Sequence, residues 1–264
     1  MTSLSLATWN LLHGQAVAQP GDGRSVEQRL AAGARRLDAD VIAVQEVDCT
    51  SERSGHTCQV DIVAQAIGGQ GRFCATLRGV PGEQWTAGHG HQDDGVGPRY
   101  GIGLVSRLPV LRWESLALPA STRRLPLLVP TPSGPRAIWV RDEPRWALAA
   151  VIAGPAGEFT AVCTHLSFVP GVNIRQLRAL TQWCRGLPGP HYLLADLNLP
   201  RLVASRMRPW RLLASAATYP VGKPRVQFDH IAAGPGAPAH VLTTNTLALP
   251  AGDHRALRVE VHLG

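Results

Sequence analysis

The chain has 264 residues, 45% apolar and 17% charged, a composition that supplies a hydrophobic core and excludes a disordered chain. Glycine (27) and proline (21) stay below the level that marks low complexity. The net charge of +7 has two readings: an arginine surplus from a GC-rich genome, since Lys223 is the only lysine, or an anionic partner such as nucleic acid, phospholipid or a phosphorylated metabolite.

Taken in chain order, strand-like and helix-like segments alternate. Leu4–Asn10 reads as a strand. Ser25 with Gln28 forms a capping box ahead of a helix whose Val26, Leu30, Ala34 and Leu37 share one face. Val41–Gln45 is a short buried-type strand, and Asp61–Ile67 a second helix stopped by Gly68. Gly101–Ser106 is a strand; Arg145–Ala153 and Phe159–Thr164 form a hairpin across Gly154–Gly157. Asn173 is read as the cap of a helix carrying Ile174, Leu177 and Leu180. Tyr192–Ala195 and Phe228–Ala232 are short strands, and Leu257, Val259 and Val261 alternate in a last one. Gly79–Arg99 and Pro119–Arg136 are read as long irregular loops. A strand–helix–strand opening followed by hairpins points to an α/β fold with mixed sheets, in one domain spanning 1–264.

Met1–Leu6 has no basic leader, and the longest apolar run, Trp146–Ala153, is far short of a membrane span. A soluble, cytoplasmic and monomeric protein is expected. Five cysteines without a C-x-x-C pair argue against a zinc module. Cys163 and Cys184 read as buried thiols. Cys49 and Cys58 flank a polar loop and can pair if oxidised, although free thiols are expected in a reducing cytosol.

The informative pattern is a polar residue wherever an apolar strand stops. Asn10, Glu46, His165, Asp196 and Asn198 follow strands; Asp229 with His230 opens one, and Asp253 with His254 precedes the last. Strand ends hold side chains rigidly at a crevice, which is how α/β enzymes build sites. Each residue alone also reads as a turn former, a loop acid or a core histidine. Together, oxygen ligands suit Mg²⁺ or Mn²⁺, while histidines and carboxamides supply donors that do not repel a phosphate.

The ordered motifs T-W-N (Thr8–Asn10), Q-E (Gln45–Glu46), T-H-L (Thr164–Leu166), D-L-N (Asp196–Asn198), F-D-H-I (Phe228–Ile231) and G-D-H-R (Gly252–Arg255) resemble the endonuclease/exonuclease/phosphatase superfamily. The resemblance runs from residue 4 to 262 and implies a four-layer α-β-β-α sandwich of two mixed sheets flanked by helices. It also implies a divalent-metal-dependent phosphoester hydrolase, first a phosphodiesterase or nuclease. The alternative is a hydrolase of a phospholipid or small phosphorylated metabolite, and the third reading is a non-catalytic anion-binding module.

The implied metal residues are Glu46, Asn10 (as ligand or as the group orienting Glu46) and Asp253. Asp196 is implied to position or deprotonate water, Asn198 and His165 to donate to the phosphate, and His254 to carry a proton while oriented by Asp229. Tyr100, Arg53 and Arg145 are expected substrate contacts, Arg145 with the alternative of pairing with Glu143 or Asp142. Three departures stand out: Ala195 for glycine, Gly252 for serine, and Ile102 for an asparagine after Tyr100-Gly101, the last weakening a substrate role for the Tyr100 region. Arg201, Arg206, Arg208 and Arg211 around Trp210 read as a nucleic-acid track or as a solvated face. His89–Asp94 reads as metal-ligand material or as a solvent loop.

Overall fold

The computed structural model describes residues 2–18, 20–120, 124–131 and 134–264, with backbone only for 124–131 and 134–141. In chain order the elements are β1 (Ser3–Asn10), α1 (Val26–Leu37), β2 (Val41–Cys49), α2 (Gln59–Ile67), β3 (Gln70–Gly79), β4 (Trp85–Gly90), β5 (Arg99–Ser106), β6 (Val110–Ala117), β7 (Arg124–Thr131), β8 (Gly134–Arg141), β9 (Trp146–Gly154), β10 (Gly157–His165), α3 (Val172–Cys184), β11 (His191–Asp196), α4 (Arg201–Ala204), β12 (Arg211–Leu212), β13 (Asp229–Ala233), β14 (His240–Leu247) and β15 (Ala256–His262).

Two mixed sheets result, one ordered β14-β15-β1-β2-β5-β3-β4 and the other β12-β13-β11-β10-β9-β6; β7 and β8 form a separate hairpin. Each large sheet has one parallel pair near its centre, β1 with β2 and β10 with β11. Alternation along the strands sends one set of side chains to each face. Leu4, Leu6, Ile102, Leu104, Leu148, Ile152, Leu194 and Val259 fill the space between the sheets. The opposite face of the first sheet carries Trp9, Ile42 and Val44 against Leu30, Leu37, Val60 and Val63 of α1 and α2. On the second sheet, Val162, Leu193 and Ala195 pack on Leu177 and Leu180 of α3. Three apolar layers between four layers of structure make the expected α-β-β-α sandwich. No described helix is long and apolar enough to cross a membrane.

Several local expectations change. The capping box of α1 is present, with Ser25 accepting from Gln28 N–H and Gln28 reaching back. Asn173 is not the cap of α3: Gly171 is, and Asn173 is buried, donating to Asn198 C=O at 3.3 Å. The stretch Gly79–Arg99 contains an edge strand, β4, and Pro119–Arg136 contains β7 and part of β8, with 121–123 and 132–133 outside the described residues. Trp210 is buried beneath the second sheet and donates to Thr181 Oγ1 at 2.8 Å, which removes it as a base-stacking platform.

The His89–Asp94 stretch begins in β4, and its Asp93 is committed to an arginine and two backbone amides. Asp93 is buried and accepts from Arg78 Nε at 2.9 Å, His89 N–H at 3.0 Å and Gly95 N–H at 3.0 Å. Burial pushes its carboxyl up, but the Arg78 side chain and the two backbone donors outweigh that and hold it at about 2. A folded pKa below the unfolded value of about 3.9 stabilises the fold above pH ~4, and the contribution vanishes as pH falls through 2. Asp93→Asn should therefore lower unfolding stability by roughly 1–3 kcal/mol at pH 7. In denaturant titrations the gap between variant and parent should close towards pH 2.

Candidate active site

The parallel pairs point the same way, so β1, β2, β10 and β11 all end at one rim. Asn10 stands beside Gln45 in the β1–β2 register, and His165 beside Asp196 in the β10–β11 register, with Asp229 next across. The register of β2 against β5 shifts between Val44 and Val47, and Glu46 lies in this irregularity with φ 55. A bulge re-aims a side chain, and here it turns Glu46 out of the sheet toward the rim. The loop before β15 is tied to β1 by Trp9 Nε1, which donates to Ala251 C=O at 3.1 Å. Gly252 has φ 95, and a Cβ there would lie 2.3 Å from Asn10 C=O. Glycine in place of serine is thus a requirement of this close approach, and it brings Asp253 and His254 beside Asn10. Ala195 sits in extended backbone with its methyl in the core, and Ile102 fills the intersheet core, so neither departure alters the rim.

The rim residues are joined by hydrogen bonds. Asn10 Nδ2 donates to Glu46 Oε1 at 3.0 Å and to Asp196 Oδ2 at 3.2 Å, while its carbonyl oxygen accepts from Leu12 N–H at 3.0 Å. His254 Nδ1 lies 2.7 Å from Asp229 Oδ2, leaving Nε2 4.0 Å from Asp253 Oδ1. Burial opposes the charged ring, but Asp229, then Asp196 and Asp253, raise His254 to about 10. Burial, reinforced by Asp229, pushes the Asp196 carboxyl up to about 7. Asn198, at φ 48, directs Nδ2 to Leu166 C=O at 2.9 Å and His165 Nε2 at 3.1 Å. With an amide N–H pointing at it, His165 Nε2 is an acceptor and the ring proton is on Nδ1. Burial first, then Arg145 and His254, lower His165 well below the usual histidine range, which keeps it neutral.

These side chains line a cavity of about 520 Å³ that includes Glu46, Tyr100, Arg53, Arg145, His165, Asp196, Asn198, Asp253 and His254. Asn10 and Asp229 are fully buried behind this wall. Every residue expected at the site therefore lies in or directly behind one cavity. Arg53 is clasped by Asp48 through two contacts of 2.8 Å. Arg145 is 7% exposed, its ion pairs with Glu143 and Asp142 are long at 3.6 and 4.0 Å, and its buried Nε has no partner. The arginine–acid pairing allowed for Arg145 thus exists, while the residue also lines the cavity wall.

Sequence reading missed His13, Phe168, Tyr219 and Phe228 in the same lining. His13 lies three residues after Asn10 in a short helical turn at φ 43, with its C=O held by buried Gln59 at 2.8 Å. Proximity to T-W-N was its only sequence signal. Tyr219 packs 4.8 Å from the His254 ring and 5.9 Å from Phe228, contacts that only the tertiary fold creates. His230, by contrast, is a core histidine whose Nε2 donates to Leu199 C=O at 2.8 Å.

Two acidic groupings are candidates for a cation. Asp196, Asp229 and His254 place one ligand atom each within 4.8 Å of one another. The 2.7 Å Nδ1–Oδ2 contact there is a hydrogen bond, so Nδ1 carries a proton and cannot ligate. The second grouping is Glu46 with Asp253. Asp253 Oδ1, like Asp229 Oδ1, is buried without a hydrogen-bond partner, with His254 Nε2 only at 4.0 Å, and Glu46 is raised by burial and by repulsion from Asp253 despite the Asn10 bond. An orphaned oxygen beside a destabilised carboxylate is what a missing cation leaves behind, and an all-oxygen set fits a hard divalent ion.

Comparison with known proteins follows the same line. The profile of the Endonuclease/Exonuclease/phosphatase family matches residues 7–261. Comparison with curated protein sequences finds no match. Among solved structures, the endonuclease/exonuclease/phosphatase from Beutenbergia cavernae superposes with a TM-score of 0.70 at 21% identity, over 100% of this chain and 72% of that one. A mannosyl-6-phosphatase from Bacteroides thetaiotaomicron gives 0.63 at 16% identity, over 98% and 100%. The human Nocturnin catalytic domain with bound sulfate gives 0.60 at 17%, over 99% and 95%. These likenesses show a shared fold, and with the family match over almost the whole length they establish that the chain belongs to the endonuclease/exonuclease/phosphatase family of metal-dependent phosphoester hydrolases.

Proposed function

We propose that the chain, acting as a single monomeric domain, is a Mg²⁺- or Mn²⁺-dependent phosphodiesterase whose first substrate class is nucleic acid. The observation that carries this reading is the network in which one Asn10 amide links Glu46 to Asp196 beside the orphaned Asp253 oxygen. Glu46 and Asp253 would hold the cation. Asn10 orients Glu46, since its Nδ2 donates to Glu46 Oε1 while its carbonyl oxygen holds Leu12 N–H. A bound divalent ion would supply charge neutralisation at a phosphoryl oxygen and a lowered pKa for water.

Asp196 positions the attacking water and takes its proton; a carboxyl at about 7 suits a base at neutral pH. His254, held protonated by Asp229, presents Nε2–H to the phosphate or leaving oxygen. Neutral His165 donates from Nδ1, and Asn198 fixes its tautomer. Arg145, with unspent donors, and Arg53 bind the non-reacting oxygens or a neighbouring phosphate, and Tyr100 lies against Glu46 and lines the wall between them.

A second reading, hydrolysis of a small phosphorylated metabolite, is favoured by the cavity volume, which falls in the range of small-molecule sites. A panel of plasmid DNA, RNA, phospholipid and soluble phosphomonoesters, with Mg²⁺, Mn²⁺ or chelator, separates the readings. Nucleic-acid cleavage that chelator abolishes is the expected result; turnover of monoesters alone selects the second reading. Glu46→Ala and His254→Ala should each lower kcat by at least ~100-fold.

In the metal-free protein, the His254 ring should titrate near 10 by NMR, and Asp229→Asn should bring it down by one unit or more. An unchanged value in that variant would remove Asp229 as the group that holds the proton.

A further inference from the structure

The edge of the cavity carries a feature that the hydrolytic reading does not use. β2 ends on Cys49, and the chain turns back to set Cys58 opposite it as an antiparallel pair. Thr50 N–H donates to Thr57 C=O at 3.0 Å. With that ladder bond beside them rather than between them, the cysteines form the closer kind of cross-strand pair, for which Cα atoms are roughly 4.5 Å apart with side chains on one face. That separation lies within the span of a disulfide, about 4.4–6.8 Å. Both cysteines are free thiols.

The segment they bracket is bent into left-handed conformations at Thr50, Gly55 and His56 (φ 59, 79 and 57), and it carries Arg53. Outside its own turns it is held by the Arg53–Asp48 pair and by Thr50 Oγ1 donating to Gly97 C=O. We propose that Cys49 and Cys58 are a redox modification site: a hydroperoxide converts them to a disulfide that locks the 50–57 segment and keeps Arg53 at the cavity wall.

The chemistry is balanced by the peroxide. Cys49 thiolate attacks one peroxide oxygen, the O–O bond breaks, and sulfenic acid and hydroxide (or alkoxide) form. The Cys58 sulfur then attacks the Cys49 sulfur, an S–S bond forms, and water leaves with the sulfenic oxygen and the Cys58 proton. Two sulfurs are oxidised as one peroxide is reduced, and an external thiol reverses the change by exchange. Arg99 Nη2, 3.6 Å from Cys49 Sγ, favours the thiolate there. Cys49 is 5% exposed, which suits a small oxidant, and half-buried Cys58 is positioned to resolve the sulfenic acid. The other three cysteines are buried in the core clusters and should not compete.

The consequence for Arg53 rests on its proposed substrate role; the disulfide itself does not. The full chain is treated with hydrogen peroxide, alkylated under native and denaturing conditions, and mapped by mass spectrometry. A linked peptide joining Cys49 to Cys58, reversed by dithiothreitol, with a rise in Tm of about 5 °C, is expected. Cys58→Ser, at a half-buried position, should show no rise and should leave a dimedone-reactive Cys49. Both thiols remaining alkylatable after peroxide, or a link to another cysteine, would overturn the site. In oxidised protein KM should fall about threefold at constant kcat through preorganisation of Arg53. An unchanged KM overturns the Arg53 consequence while leaving the mapped disulfide standing. Failure of all hydrolysis would count against the proposed function and not against the disulfide.

Discussion

Glu46, Glu143, Asp196 and Asp253 line one cavity with Asp229 buried behind it, and the repulsion among these carboxyl groups is the constraint to which the rest of the site answers. Burial, reinforced by the neighbouring carboxylates, pushes Glu46 and Asp196 up. The compensation present in the chain is limited: His254 as a buried cation against Asp229, Asn10 amide protons shared by Glu46 and Asp196, and Arg145 and Arg53 on the cavity wall. Asp229 Oδ2 is held by His254 at 2.7 Å, although Asp229 Oδ1 has no hydrogen-bond partner. Asp253 meets His254 only at 4.0 Å and Glu46 has no cationic partner so close, and this asymmetry separates the two halves of the cavity.

The sandwich makes so strained an arrangement tolerable. Two parallel strand pairs, one in each sheet, end at a common rim, and the intersheet core fixes their separation. Left-handed backbone at Glu46 and Asn198 costs on the order of 1–2 kcal/mol each. Packing on either side over-determines both positions: Val44 and Val47 are buried around Glu46, and Leu197 and Leu199 around Asn198. The close approach of Gly252 to Asn10 is of the same kind, conformational freedom spent to bring the β15 loop against β1.

Much of this was legible in the amino-acid order. Apolar runs that stop at Asn10, His165 and Asp196 are visible without coordinates, and so are their parallel partners once the helices between them are read. The bulge that re-aims Glu46 is not, because it is defined by the register against Gly101 and Gly103 of β5. The polar or glycine-broken edge strands β4, β6 and β14 escaped notice, since TAGHG, RWES and TTNT lack the alternation of a half-buried strand. Asn173 looked like a helix cap, yet its side chain is spent on Asn198 C=O and Gly171 begins the helix. Tyr219 and Phe228 became cavity wall through contacts between distant segments, which no local pattern encodes.

The charge of the chain gains a context from this site without a choice of substrate. Arg53 and Arg145 line the cavity, whereas Trp210 packs on the far side of the second sheet and its neighbouring arginines are not in the cavity lining. The central claim is that a divalent cation completes the carboxylate cavity on the Glu46 side. Anomalous diffraction from crystals equilibrated with Mn²⁺ tests it most directly. The account predicts a peak between Glu46 and Asp253, with Asn10 beside it and the Asp229–His254 hydrogen bond intact. A peak among Asp196, Asp229 and His254 instead, or none at a saturating concentration, would contradict it.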